Sequence, residues 1–194
     1  RDGRATLEVV QQVEPQRPES PLALTLAVAL LKGEKFDLVV QKACELGVVR
    51  LVPVVTARSD VRLRSGSDTD VRVARWQRLA LEAAKQSGRA RVPTVSAPLA
   101  LASLLTDEVE ASSSRLFFTE RDGRGLVETI NSWPARPSTL TALVGPEGGW
   151  TDEELKQGSA AGWQLVTLGG RTLRAETAAI VATALLQHLC GDLR

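Results

Sequence analysis

The residues best placed for chemistry lie in the last third of the chain. An apolar run, Thr139–Val144, leads into Gly145-Pro146-Glu147-Gly148-Gly149-Trp150 and then straight into Thr151-Asp152-Glu153-Glu154. The last four residues have the form of a capping box, which starts a helix. Backbone N–H groups at a glycine-rich turn before a helix can approach a ligand closely, because glycine has no Cβ and the helix N-terminus offers free donors. A second run, Gln164–Leu168, ends in Gly169-Gly170-Arg171 and continues to Leu173-Arg174-Ala175-Glu176-Thr177. One glycine turn after a strand is commonly just a turn. Two such loops, carrying Glu147, Arg171, Arg174 and Glu176 between them, point to a site. Neither reads GxGxxG or GxxxxGK[ST], which disfavours a dinucleotide-binding loop and a phosphate-cradling P-loop.

Loops of this kind need strands that end side by side. Apolar and amphipathic runs alternate along the chain. Leu22–Leu31, Val49–Val55, Arg115–Thr119, Thr139–Val144 and Gln164–Leu168 read as strands, whereas Lys35–Leu46, Arg72–Ser87, Thr151–Ala161 and Ala175–Cys190 read as helices. That order predicts an α/β fold with a mostly parallel sheet flanked by helices on both faces. In such sheets ligands bind beyond the carboxyl ends of the strands, where both glycine loops emerge. Residues 1–20 carry one short strand-like run, Ala5–Val10, followed by Pro15, Pro18 and Pro21, which suit a linker rather than a helix or central strand. Residues 1–21 are therefore expected to end one unit and 22–194 to form the main domain.

The 194 residues are 43% hydrophobic, enough for one substantial core, and 24 Lys and Arg against 23 Asp and Glu leave a net charge of +1. Any electrostatic attraction for nucleic acid must be local. Cys44 and Cys190 lie in apolar stretches without CxxC spacing, and His188 is the single histidine. No metal site or disulfide scaffold is expected, and a reducing cytoplasm fits best. Neither Leu22–Leu31 nor Ala175–Cys190 is long and apolar enough to span a bilayer. The chain contains no methionine and opens Arg1-Asp2-Gly3-Arg4, so residue 1 is expected to lie inside a longer product.

The pair Val144-Gly-Pro-Glu-Gly-Gly-Trp-Thr151 and Leu168-Gly-Gly-Arg-Thr-Leu-Arg-Ala-Glu-Thr-Ala178 resembles the signature of the RsmE family of ribosomal RNA uridine-N3 methyltransferases, of the SPOUT class. Supporting matches are Lys32-Gly33-Glu34-Lys35, Gln41–Gly47 and Glu82–Arg89, so the likeness runs from about residue 22 to the C-terminus. It implies a C-terminal trefoil knot, S-adenosylmethionine (SAM) as cofactor, a homodimer and an N-terminal PUA-like β-barrel that binds RNA. Residues 1–21 can supply only a remnant of that barrel. The implied substrate is small-subunit (16S) ribosomal RNA, in the assembled particle.

On this resemblance the cofactor pocket is made by three segments: Phe118, Thr119 and Glu120; Leu143, Val144, Gly145, Pro146, Glu147, Gly148 and Gly149; and Leu168, Gly169, Leu173, Thr177 and Ala178. Glu147 either accepts from the ligand or braces its own loop. Methylating N3 of uridine leaves negative charge on the ring carbonyls once the proton is lost, and a fixed cation would stabilise it. Arg174 is the first candidate and Arg171 the second, with Glu176 completing the catalytic set. The alternative for Arg174 is an ion pair with Glu176 or Glu147 that only holds the fold. The proton acceptor is a carboxylate, water or bulk base. His188, near a helix C-terminus, suits the dipole better than catalysis.

Between Arg58 and Arg91 nine basic residues face four acidic ones. Trp76, Leu79, Ala80, Ala83 and Ala84 repeat at core spacing, with Arg75, Arg78, Glu82 and Lys85 on the outer face. A charged face of this kind is commonly just solvated. Joined to the methyltransferase signature, Arg58, Arg62, Arg64, Lys85, Gln86, Arg89 and Arg91 become the expected RNA contacts. The rival to an enzyme is a non-catalytic RNA-binding or ribosome-assembly protein on the same fold, and another target nucleotide is a further option.

Overall fold

The computed structural model describes residues 8, 10, 11, 13, 15, 18–59, 61, 66–106 and 114–194. Its centre is a parallel sheet of eight strands: β1 (Ala23–Ala29), β2 (Arg50–Val55), β3 (Thr94–Val95), β4 (Leu99–Ala100), β5 (Ser114–Phe118), β6 (Arg124–Gly125), β7 (Thr139–Val144) and β8 (Gln164–Thr167). Their order is β3-β2-β1-β7-β5-β8-β6, with β4 also pairing β2. The register runs Leu26↔Ala142 between β1 and β7, Leu116↔Ala142 between β5 and β7, and Phe117↔Leu165 between β5 and β8. β2 pairs β3 through Arg50 and Leu51 and β4 through Val54 and Val55, so Pro53, which has no N–H to donate, falls between the two contacts.

Among the described residues six helices flank the sheet: α1 (Lys35–Glu45), α2 (Gly66–Ser87), α3 (Leu101–Leu105), α4 (Leu126–Asn131), α5 (Asp152–Ala160) and α6 (Ala175–Cys190). Because successive strand residues point to opposite faces, β1 feeds two cores. Leu24, Leu26 and Val28 meet Phe36, Val40, Trp76, Ala179 and Leu186 on one side. Ala27 joins Val52, Leu104, Phe117, Leu143, Trp150 and Trp163 on the other. Burial on both faces is what makes the strands read as unbroken apolar runs.

Trp76 is 4% exposed, 4.5 Å from the Phe36 ring, and its Nε1 donates to Asp37 at 3.1 Å. It is core, as its spacing predicts. Asp37 also pairs with Arg75, which ties α1 to α2. Cys44 is buried; its thiol donates to the Ala80 carbonyl at 3.3 Å, and burial pushes its pKa up. No helix among the described residues is long and apolar enough to cross a membrane.

Several expectations are revised. β3, β4, α3, β6 and α4 have two to six residues each, too short to show a period. Helix α2 begins at Gly66 rather than Arg72, because the polar stretch before Arg72 includes Asp68 in the first turn, where a carboxylate favours the helix dipole. Of the predicted strand Ala5–Val10 only Glu8 and Val10 are described, and neither is assigned to a strand; the rest lies outside the described residues.

Residues before 22 also pack against the sheet and helices. Glu19 accepts from Arg89 Nη2 at 2.6 Å and from the backbone N–H groups of Ala90 and Arg91, and Ser20 Oγ donates to Gln187 Oε1 at 2.7 Å. Burial alone would raise the Glu19 pKa. The Arg89 hydrogen bond and charge, with the two backbone donors, outweigh it and hold the carboxyl below its ordinary 4.5. A carboxyl whose pKa is depressed by folding adds stability above its unfolded pKa and loses it as pH falls through the folded value. The melting-temperature gap between wild type and Glu19→Gln should therefore be widest near neutral pH and close as the pH drops below 4.5. A gap that is independent of pH from neutral to acid would remove this tie as an electrostatic one.

Candidate active site

The sheet order sets the carboxyl ends of β1, β7, β5 and β8 side by side, so the loops that follow them converge. Together they enclose a cavity of about 540 Å³, within the range of small-molecule sites. Val144, Leu168, Leu173 and Ala178 supply apolar wall, Glu120 and Glu147 supply carboxylates, and Arg171 and Arg174 supply cations.

The first glycine loop is shaped by close approaches. Trp150 is 1% exposed, its Nε1 donates to the Phe118 carbonyl at 2.8 Å, and its ring lies 4.4 Å from that of Phe117. A Cβ on Gly145 would sit 2.7 Å from the indole, so only glycine fits above it. Gly149 has φ +66°, and a Cβ there would lie 2.7 Å from Glu120 Oε1. The loop is stopped by the predicted capping box: Thr151 Oγ1 accepts from Glu154 N at 3.2 Å, and Glu154 Oε2 accepts from Thr151 N at 2.9 Å.

Most residues expected at the cofactor site line this cavity: Phe118, Thr119, Glu120, Val144, Gly145, Pro146, Glu147, Gly148, Gly149, Leu168, Gly169, Leu173 and Ala178. Leu143 does not, because strand alternation turns it into the opposite core with Phe117 and Trp150. Thr177 is exposed on α6 and is not among the lining residues. Gly148 lines the cavity, but its absent Cβ would point at Arg58 Cβ, 3.1 Å away, so its small size serves that approach. Lys35, Trp150, Thr167, Thr172 and Ala175 line the cavity without having been expected there. Lys35 was legible in the Lys32-Gly33-Glu34-Lys35 match. Its position at the start of α1, one strand away from β7, is what brings it in.

Arg174 is the N-cap of α6, and both it and Arg171 are exposed on the cavity wall. Neither makes an ion pair or side-chain hydrogen bond among the described residues. Glu147 pairs instead with Lys35, Nζ to Oε1 3.0 Å, and Glu176 Oε2 is buried with no hydrogen-bond partner among the described residues. The bracing ion pair considered for Arg174 is thus not formed. Glu176 lies outside the cavity lining, in the first turn of α6, where its charge suits the dipole. His188 is exposed at the far end of that helix, its Nδ1 3.0 Å from the Leu193 carbonyl oxygen.

The expected RNA belt divides. Lys85, Gln86 and Arg91 are exposed. The Arg89 side chain is 8% exposed and bonds Glu19 and the Cys44 and Val48 carbonyls, so it is an internal brace and not a phosphate contact. Arg58 Nη1 is committed to the Gly148 and Trp150 carbonyls, at 3.0 and 3.2 Å. Arg62 and Arg64 lie outside the described residues. Arg89 was misassigned because a run of cations in sequence says nothing of which ones meet a carboxylate distant in the chain.

Residues 18–187 match the model of the RNA methyltransferase domain family. A protein named ribosomal RNA small subunit methyltransferase E from Bacillus subtilis is 32% identical over 180 residues, covering 91% of this chain and 70% of the relative. Its namesake from Synechocystis is 34% identical over 184 residues, covering 95% of this chain but 59% of the relative, so the chain spans only part of the proteins it matches. Among solved structures, a ribosomal RNA small subunit methyltransferase E from Neisseria gonorrhoeae bound to S-adenosyl methionine has a TM-score of 0.82 at 37% identity, over 93% of this chain and 72% of that one. A methyltransferase from Legionella pneumophila in complex with SAM scores 0.83 at 34% identity, over 90% and 69%. With two glycine loops at the carboxyl edge of a parallel sheet and a matched span of nearly the whole chain, the protein belongs to the RNA methyltransferase domain family, among the members named ribosomal RNA small subunit methyltransferase E.

Proposed function

We propose that this chain carries the catalytic domain of a SAM-dependent enzyme that methylates N3 of a uridine in small-subunit ribosomal RNA. The observation that carries the proposal is the cavity at the carboxyl edge, with Arg171 and Arg174 on its wall free of ion pairs among the described residues. The cavity suits SAM. Its apolar wall of Val144, Leu168, Leu173 and Ala178 matches an adenine face, Gly145 and Gly149 let the loop pack tightly on Trp150 and Glu120, and Glu120 can accept from a ribose hydroxyl. When bound, SAM supplies an electrophilic methyl carbon on a sulfonium.

The chain's own part is binding and charge stabilisation. Phe118–Glu120, the 144–150 loop and the 168–173 loop hold the cofactor. Arg174, placed by the α6 N-cap, stabilises the negative charge that develops on the uridine carbonyls as N3 loses its proton, and Arg171 assists from the same loop. Lys85, Gln86 and Arg91 draw in the phosphate backbone.

The same reading takes the C-terminal segment as a trefoil knot, residues 1–21 as the end of an N-terminal β-barrel unit and the cytoplasm as the place of action. It also takes the protein as a homodimer. Helix α6 supports this, since Ile180, Val181, Ala184 and Leu185 are only half-buried in the single chain. Light scattering should give twice the chain mass at micromolar concentration, and a monomer there would leave α6 serving its own domain alone. The function itself is tested by labelled methyl transfer from SAM to unmethylated small-subunit ribosomal RNA, followed by nucleoside analysis. Label in 3-methyluridine is the expected result; SAM binding without transfer would favour the assembly-protein reading.

A further inference from the structure

The turn that follows β2 makes contacts that neither the cofactor reading nor the RNA belt explains. Thr56–Ser59 closes on itself: Ser59 N donates to the Thr56 carbonyl at 3.2 Å, and the Thr56 and Ser59 hydroxyls are 2.8 Å apart. From this turn Arg58 Nη1 reaches across to the Gly148 and Trp150 carbonyls, at 3.0 and 3.2 Å. Glu154, 6% exposed, anchors the other side. Its Oε1 accepts from Ala57 N at 2.8 Å while its Oε2 serves the capping box. Trp150 O also accepts from Arg121 Nη2 at 3.3 Å.

We propose that Arg58 is a positioning residue for the cofactor site, and that the 56–59 turn, pinned by Arg58 and Glu154, holds the 145–150 loop in its binding form. The proposal rests on reading the cavity as the SAM site. A loop with adjacent glycines and few ladder bonds has many conformations, and a ligand that must order it loses affinity to that ordering. Here the ordering is done beforehand. Fixing the Gly148 carbonyl fixes the plane of the peptide that carries Gly149 N–H, which donates to Pro146 O at 3.0 Å. Gly148 is part of the same device, since a side chain there would meet Arg58. Arg58 therefore acts through the backbone of the loop, and the planar guanidinium suits the task because the two hydrogens on Nη1 point in fixed directions at two carbonyls.

Calorimetry with SAM on wild type, Arg58→Ala and Arg58→Lys tests this, alongside melting without ligand and steady-state methyl transfer. Arg58→Ala should bind SAM about tenfold more weakly, the scale of one lost charge-assisted hydrogen bond. Its KM for SAM should rise with kcat little changed, and its melting temperature without ligand should stay within about 2 °C. Arg58→Lys should fall between the two, because an ammonium keeps the charge and loses the fixed planar geometry. Unchanged SAM affinity in a folded Arg58→Ala overturns the proposal, and so does weakened RNA binding with SAM affinity intact, which would return Arg58 to the phosphate contacts. If Arg58→Ala does not fold, Gly148→Ala probes the same contact from the loop side, with the same weakening expected and unchanged affinity again fatal. A wild-type protein that binds no SAM overturns the cofactor reading and this proposal together, whereas wild-type binding with an indifferent Arg58→Ala overturns this proposal alone.

Discussion

Arg174→Ala should leave a folded, SAM-binding protein whose kcat is lower by about 10²–10³, a loss of roughly 2.7–4 kcal/mol, in the range of a removed oxyanion donor. The expectation follows from where the guanidinium is and what it lacks. It stands at the N-cap of α6 on the cavity wall, exposed, with no ion pair among the described residues. A residue that braced the fold would be paired, and its loss would lower melting temperature and cofactor affinity together. An exposed unpaired arginine should instead cost less than about 0.5 kcal/mol of stability when removed. Its charge is useful only when a negative partner arrives, which for the proposed reaction is the deprotonated uridine. Arg174→Lys reports the kind of help given: most activity retained means charge alone suffices, and a loss near that of alanine means the planar fork positions the base. Near-normal turnover in folded, cofactor-binding Arg174→Ala would sink the assignment.

Gly149→Val should abolish measurable SAM binding while the sheet stays folded. At φ +66° a β-branched residue is a genuine outlier, and left-handed backbone costs an L-residue about 1–2 kcal/mol before any collision. The new Cβ would also lie 2.7 Å from the Glu120 carboxylate, another wall of the cavity. Relieving both problems moves the 145–150 loop and Glu120 together, so the site is disturbed from two sides. The strands beneath keep their pairing and both cores. Circular dichroism should therefore resemble wild type, with calorimetry showing no SAM heat. SAM affinity equal to wild type would mean that the loop's conformation does not control the site. Gly148 is the instructive contrast, because its substitution is expected to act on Arg58.

How much of this was legible beforehand depends on the range of the interaction concerned. Burial on both faces of a parallel sheet makes each long strand an apolar run, and helices keep their own period, so the long elements could be placed from local pattern. Thr139–Val144 and Ala175–Cys190 have the bounds expected of them. The capping box is a contact across three residues, and it formed as written. The two glycine loops were legible because strand, turn chemistry and helix start are adjacent in the chain, and their convergence follows from parallel strands ending on one edge.

What tertiary structure decided was partnership between residues far apart. Arg58 and Arg89 read as members of one basic belt, yet one bonds carbonyls about ninety residues away and the other a carboxylate seventy residues before it. Leu143 and Val144 are neighbours, and only the pleat sends one to a core and the other to the cavity. Lys35 reached the site, and Glu147 found its partner, because β1 lies beside β7, an adjacency of strands more than a hundred residues apart that no local pattern encodes. Sequence alone thus determined which segments are the long strands, the long helices and the glycine turns, since those rest on neighbours within a few residues. The fold decided which charges are spent internally and which remain for a substrate, since an arginine's role depends on the partner that strand order places beside it.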